Sequence, residues 1–227
     1  MARLTGSVLG NLSGKLGNLS ARTRGGKTYF AARPGPRTDT PSAAALAVRQ
    51  KFAITIALLK TILGLSALKK VWRKVKDPGI TEANTIFKEN FGLVSTDRPT
   101  DQNIITPGGF DISMQNPVVG ANSITGDLDA LDTKAVFDPS EVDLEVDAVV
   151  CYYNPTDPAD EPYKLINLSK QEAGFDFTQA YALNLAYNVN QQNVAAKYQN
   201  SILYLAVASK DADGNVVQYS ATLTITN

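Results

Sequence analysis

Histidine does not occur in the 227 residues, and cysteine occurs once, at Cys151. Without histidine the chain has no side chain whose ordinary pKa lies near neutrality, and it lacks the commonest metal ligand. Ser-His-Asp and Cys-His nucleophile arrangements are excluded with it. A lone cysteine excludes an intrachain disulfide and a cysteine-based zinc site. The N-terminal region also lacks the apolar stretch of a signal peptide and has scattered Arg and Gly instead. What is present is the composition of a folded chain, 44% apolar and 19% charged. There is room for one large domain or two small ones.

Net charge is zero, but only as a total. Residues 1–76 hold fifteen Lys or Arg and one acid, Asp39, a formal +14. Residues 77–227 hold seven Lys or Arg and twenty-one acids, a formal −14. Halves of opposite sign face different surroundings. The basic half suits a polyanion or an acidic protein surface, and the acidic half suits water or a basic neighbour. This is the charge pattern of a component of an assembly.

The basic half opens with a short repeat. Leu9-Gly10-Asn11-Leu12-Ser13 recurs as Leu16-Gly17-Asn18-Leu19-Ser20, with Gly14-Lys15 between. Gly6, Gly10, Gly14 and Gly17 in and just before this stretch argue against a helix. It reads as an extended basic arm with turns at the Gly-Asn pairs and short pairing strands. Lys15, Arg22, Arg24, Lys27, Arg33 and Arg37 run along it, with Tyr29 and Phe30 among them. These cations neutralise phosphates or an acidic subunit, and the rings stack on bases or pack on protein.

A helix follows. Thr40 is its predicted cap and Pro41 its first turn. Val48, Phe52, Ile56, Leu59 and Leu63 recur at helical spacing, and Ile54, Leu58, Ile62 and Leu65 widen the stripe. Leu68, Val71, Trp72 and Val75 continue it, with a predicted break at Gly64 to Ser66. So wide a stripe predicts burial in a subunit interface, with Phe52, Ile56, Leu59 and Trp72 as its contact residues. A membrane role is the competing reading, because Phe52 to Leu68 has one charge, Lys60; a span needs roughly twenty apolar residues. Thr81 to Phe91 reads as a short helix stopped by Gly92.

From about Ile104 the period changes to two. Val142, Leu144, Val146, Ala148 and Val150 alternate with Asp143, Glu145 and Asp147, the pattern of a strand with one apolar face. Tyr181 to Tyr187 and Ser201 to Ser209 are further strands. Asp211-Ala212-Asp213-Gly214-Asn215 is a hairpin turn between Ser209 and Val216. Cys151 falls in a strand and is expected to be buried. The predicted fold class is α+β: a basic extended arm over 1–40, a long helix or helix pair over 41–92, and an antiparallel β-sandwich of immunoglobulin-like type over 93–227.

Candidate chemistry is sparse. Ala21 to Thr28 matches a loose phosphate-binding loop, but a Gly-rich arm precedes it and Pro34 follows too soon for a full helix. Ser66-Ala67-Leu68-Lys69 has the spacing of some serine acylases without their second element. Asp211 to Asn215 has its glycine at the wrong position for a calcium loop. No catalytic, metal or cofactor residue is assigned.

Gly10-Asn11-Leu12-Ser13-Gly14-Lys15-Leu16-Gly17-Asn18, with Gly26, Tyr29, Arg33-Pro34 and Gln50-Lys51-Phe52, resembles the opening of an uncharacterised family. That family occurs in Bacteroidota genomes and their phages, and the likeness covers about residues 6–92. Its usual Trp before this region is missing, and Lys27-Thr28 stands where other residues are expected. The resemblance implies no activity. It points toward a phage or Bacteroidota structural protein, and together with the charge split it gives the expectation of a non-enzymatic structural protein of a phage particle, capsid- or head-associated. The expected partners are other virion subunits in a homo-oligomer or capsid lattice, with packaged nucleic acid as a further polyanion. The expected location is the virion, or the host cytoplasm before assembly. A nucleic-acid-binding module and a membrane-interacting ejection component are the alternatives.

Overall fold

A computed structural model describes residues 14–24, 26–33, 35 and 42–227, with Leu16 and Arg24 described in their backbone only. The chain divides into two compact units, Met1–Ser42 and Ala43–Asn227.

In the first unit three short strands pair antiparallel in chain order: β1 (Gly14–Leu16), β2 (Leu19–Arg24) and β3 (Lys27–Ala32). Gly17-Asn18 is the two-residue turn between β1 and β2. Gly17 sits at φ +57°, a left-handed conformation that glycine adopts without steric cost. The second copy of the repeat is thus a hairpin turn. The first copy, at 9–13, and the predicted cap Thr40 with Pro41 lie outside the described residues.

The second unit begins with α1 (Ala43–Leu63) and α2 (Ser66–Val75), which meet at a 108° bend where Gly64 and Leu65 interrupt the helix. The predicted break is present at its predicted place. α3 (Glu82–Asn90) follows, and the Thr81 hydroxyl caps it by accepting from the Asn84 amide. The strands come next: β4 (Met114–Val119), β5 (Ser123–Leu128), β6 (Glu141–Pro155), β7 (Tyr163–Glu172) and β8 (Tyr181–Ala186). A short helix, α4 (Val189–Ala195), precedes β9 (Tyr198–Asp211), β10 (Val216–Tyr219) and β11 (Leu223–Thr226). Four α-helices and mostly antiparallel strands make the described chain α+β.

The larger sheet has the order β10-β9-β6-β7, and β11 pairs with β9 beyond the end of β10. The smaller sheet has the order β4-β5-β8. Even-numbered residues of β6 (Leu144 to Tyr152) and Leu203, Leu205 and Val207 of β9 pack against Ile124, Leu128, Leu183 and Leu185 of the smaller sheet. The opposite face, with Val149, Cys151, Ile202 and Tyr204, is covered by Leu58, Ile62, Leu68, Trp72 and Ile86 of α1, α2 and α3. β6 and β9 are therefore buried on both sides. Residues 43–227 form one compact unit, in which the helical region packs on the larger sheet.

Trp72 is the largest side chain in the helical layer. It is fully buried, and its indole N–H donates to the Ile105 carbonyl at 2.8 Å. The 105–110 segment is fastened to the sheet where β10 ends. The Thr222 hydroxyl accepts from the Ile105 and Thr106 amides, and Gly109 lies so close to Tyr219 that a Cβ there would come within 2.1 Å of its carbonyl oxygen. Trp72→Phe keeps most of the packing but orphans the Ile105 carbonyl, and is expected to lower unfolding stability by ~1–3 kcal/mol. Trp72→Ala is expected to cost ~3–5 kcal/mol. Urea unfolding of the two variants checks both the values and their order.

Candidate functional site

Antiparallel pairing decides which side chains of the basic hairpin share a face, because residues directly opposite one another point the same way. Lys15 pairs with Ser20, Ser20 with Ala31, Arg22 with Tyr29, and Arg24 with Lys27. One face therefore gathers Lys15, Arg22, Lys27 and Tyr29. The three cations are exposed, and Tyr29 is 58% exposed. The opposite face holds Leu19, Ala21, Thr23, Thr28 and Phe30, with Ala21 buried and Thr23 and Thr28 joined through their hydroxyls at 2.8 Å. Arg33, just past β3, is exposed and donates to the Gly17 carbonyl at 3.3 Å, tying the strand end to the first turn. Arg37 lies outside the described residues, and of Arg24 only the register position is given. Four of the residues singled out from sequence thus form one cationic face with a ring at its centre.

The helical contact residues are placed differently. Leu59 and Trp72 are buried in this chain's own core, and Ile56 is half-buried. The stripe read as a subunit interface is for the most part the face that packs on β6 and β9. Phe52 alone of the four is exposed, at 51%, with its ring 4.9 Å from that of Phe87. Among the described residues no single helix is long and apolar enough to cross a membrane. The α1–α2 pair passes that test only when its bent halves are joined. Their apolar residues Leu58, Ile62, Leu68, Val71 and Trp72 are buried in the protein.

The motifs with a possible chemistry resolve into structure. Ala21–Arg24 and Lys27–Thr28 are strand, and among the described residues the next helix begins at Ala43. In the Asp211 to Asn215 turn the Asp211 carboxylate accepts from the Asn215 amide at 2.7 Å and its side-chain nitrogen at 3.1 Å. It holds the hairpin closed. Among the described residues no cluster of three or more His, Cys, Asp or Glu is placed to hold a metal. Burial pushes the Cys151 thiol up to about 12, so it stays protonated and unreactive at neutral pH.

The acidic side of β6 departs from the sequence reading. Glu145 and Asp147 alternate with apolar residues, as in a strand with a solvated face, yet they are 5% and 1% exposed. Glu145 ion-pairs with buried Lys210 and accepts from the Ser169 hydroxyl at 2.9 Å. Asp147 has neither carboxylate oxygen in a hydrogen bond. Burial, reinforced by the neighbouring Glu145 charge, raises it from 3.8 to about 7; Ser169, Lys210 and the Leu68 amide oppose the shift without cancelling it. A helix over this face, unforeseen in the alternation, is what removes both acids from water.

Comparison with known protein families, curated proteins and solved structures gave no match for this chain.

Asp147 gives the fold a definite pH dependence. Its proton is held more tightly in the native state than in the unfolded chain, so this contribution to stability is full below 3.8 and is lost as pH rises through about 7. Exposed carboxyls whose values are lowered, such as Asp138, Asp176 and Asp211, act at lower pH. Between about pH 5 and pH 8 the wild-type chain is expected to lose roughly 2–3 kcal/mol of stability. Asp147→Asn is expected to flatten that dependence, which denaturant titrations across the pH range measure directly.

Proposed function

We propose that this chain is a non-enzymatic structural subunit of a phage particle, capsid- or head-associated, whose basic N-terminal arm makes assembly contacts with other subunits. The observation that carries this reading is the charge partition: a formal +14 over residues 1–76 and −14 over 77–227. Its most exposed expression is the hairpin face of Lys15, Arg22, Lys27 and Tyr29, within a unit compact in its own right. A subunit built this way is its own counter-charge, and neighbouring copies neutralise one another. The resemblance over about residues 6–92 supports the same class, for which the location is the virion, or the host cytoplasm before assembly. The two antiparallel sheets that share a core serve as the rigid body, and we read them as an immunoglobulin-like sandwich with helices added over the larger sheet.

One observation favours a second reading. Tyr29, 58% exposed, stands among the cations of the hairpin, an arrangement that also suits stacking on unpaired bases and contact with phosphates. In that case the arm reaches packaged nucleic acid.

The two readings differ in what salt dissolves. Purified full-length chain is expected to form oligomers at about 50 mM salt and to release them at about 500 mM, as sedimentation reports. It is also expected among the proteins of purified particles by mass spectrometry. A chain that stays monomeric at low salt and high concentration, and is not found in particles, removes the structural reading. Binding to single-stranded DNA with a log–log salt slope of roughly −0.7 per phosphate contacted establishes the second.

A further inference from the structure

The second unit carries an aromatic groove of about 410 Å³ whose lining includes Asp132, Asp138 and Asp176 and no lysine or arginine. The loop before β6 and the turn between β7 and β8 form it. Phe137 stacks on Phe177 at 4.2 Å and 14°, and Phe175 meets Phe177 edge-on at 5.1 Å. Val136, also part of the lining, is 90% exposed, the most exposed large apolar side chain among the described residues. It is nonetheless held in place, because the Gln218 side chain donates to its carbonyl at 2.8 Å. Glu141, at the buried end, is spoken for within the fold: it accepts from the Asp138 amide, the Gln218 side chain and the Ser209 hydroxyl. Asp138 and Asp176 hold their own turns through Ser140 and Thr178 and stay ionised. Lys134 is exposed in the same loop but does not line the groove.

We propose that this groove seats the Arg22–Lys27–Tyr29 face of the N-terminal hairpin of a second copy of the chain. The proposal rests on the assembly reading above and adds to it the docking surface. The match is one of chemistry. A Tyr ring between cations meets Phe rings between carboxylates, and Val136 is already fixed for contact at little entropic cost. The sign of the rim decides among occupants, since three aspartates with no cation repel nucleic acid and membrane phosphate. A hairpin on one surface and a groove on another make a heterologous contact. It closes into an exchanged dimer or ring, or propagates as a lattice.

Cysteine pairing tests it. A Tyr29→Cys chain is mixed with a Val136→Cys chain under oxidising conditions, and a Val118→Cys chain serves as control because Val118 is 52% exposed and does not line the groove. Cys151 is buried and does not compete. The Tyr29→Cys and Val136→Cys chains are expected to form a covalent heterodimer about tenfold faster than the control pair. Val136→Arg is expected to weaken assembly about tenfold at unchanged melting temperature, since its side chain is exposed. If the wild-type chain assembles but the heterodimer does not exceed control, the groove assignment falls and the assembly reading stands. If the wild-type chain stays monomeric and no heterodimer forms, both fall. A bond that appears only when both cysteines are on one chain makes the occupant the chain's own hairpin and overturns the second-copy assignment.

Discussion

Burial of β6 and β9 on both faces is the constraint from which most of the second unit follows. A fifteen-residue and a fourteen-residue strand, paired along nearly their whole length, leave their backbone no solvent to bond with. Every N–H and C=O has to be met by a neighbouring strand. β7 and the β10–β11 edge supply that on either side. Two layers of side chains are then needed, one above the sheet and one below. The smaller sheet provides the first and the helix pair the second. The sharp bend between α1 and α2 fits this role, because a straight helix of their joint length would leave the sheet.

The same double burial sorts the charges. Acids on β6 that fall under α2 are taken out of water and depend on Lys210 and Ser169, or, for Asp147, on keeping a proton. Such groups are costly and contribute little net stability. Acids outside the core, at Asp132, Asp138 and Asp176, lie exposed on the surface. The cations concentrate in the N-terminal hairpin and on the exposed sides of α1 and α2, as with Lys60, Lys69 and Lys70.

How far the sequence could be read follows from this layering. The helix pair and its break were legible, because the stripe from Phe52 to Trp72 has one period and Gly64 interrupts it. The short helix after Thr81 and the Asp211 to Asn215 turn were legible for local reasons. The fate of Glu145 and Asp147 was not, since alternation reports one buried face and cannot report a helix that covers the other. β4 was hidden by Pro117 and by Asn116 at φ +49°, which shift its register and break the alternation. α4 is polar and has no apolar period, yet its capping box, Asn188 with Gln191, was a readable start signal that went unused. The hairpin face was half legible: the cations and Tyr29 were picked out, but only the strand register puts Lys15, Arg22, Lys27 and Tyr29 on one side. The groove was invisible, since Phe137 and Phe177 come together only when two sheets pack. The repeated Phe next to Asp, in Phe137-Asp138 and Phe175-Asp176-Phe177, was its one trace.

A single hairpin face cannot serve two polyanions at once, and this gives the two functional readings a relation. In the proposed contact, Arg22 and Lys27 are neutralised by carboxylates that come at a fixed ratio, one groove for each hairpin. Nucleic acid offers phosphates without such a ratio and at much higher density. A subunit free in solution would therefore meet competition for its hairpin, and one already seated in a neighbour would not. The aromatic floor breaks the tie. Stacking on a base and packing on the partly exposed Phe137 and Phe175 both suit Tyr29, but the groove also covers Val136, which no base contact does. The apolar part of the contact is indifferent to salt, whereas phosphate binding is not. Raising the ionic strength therefore weakens both contacts, the nucleic-acid contact more steeply than the protein one.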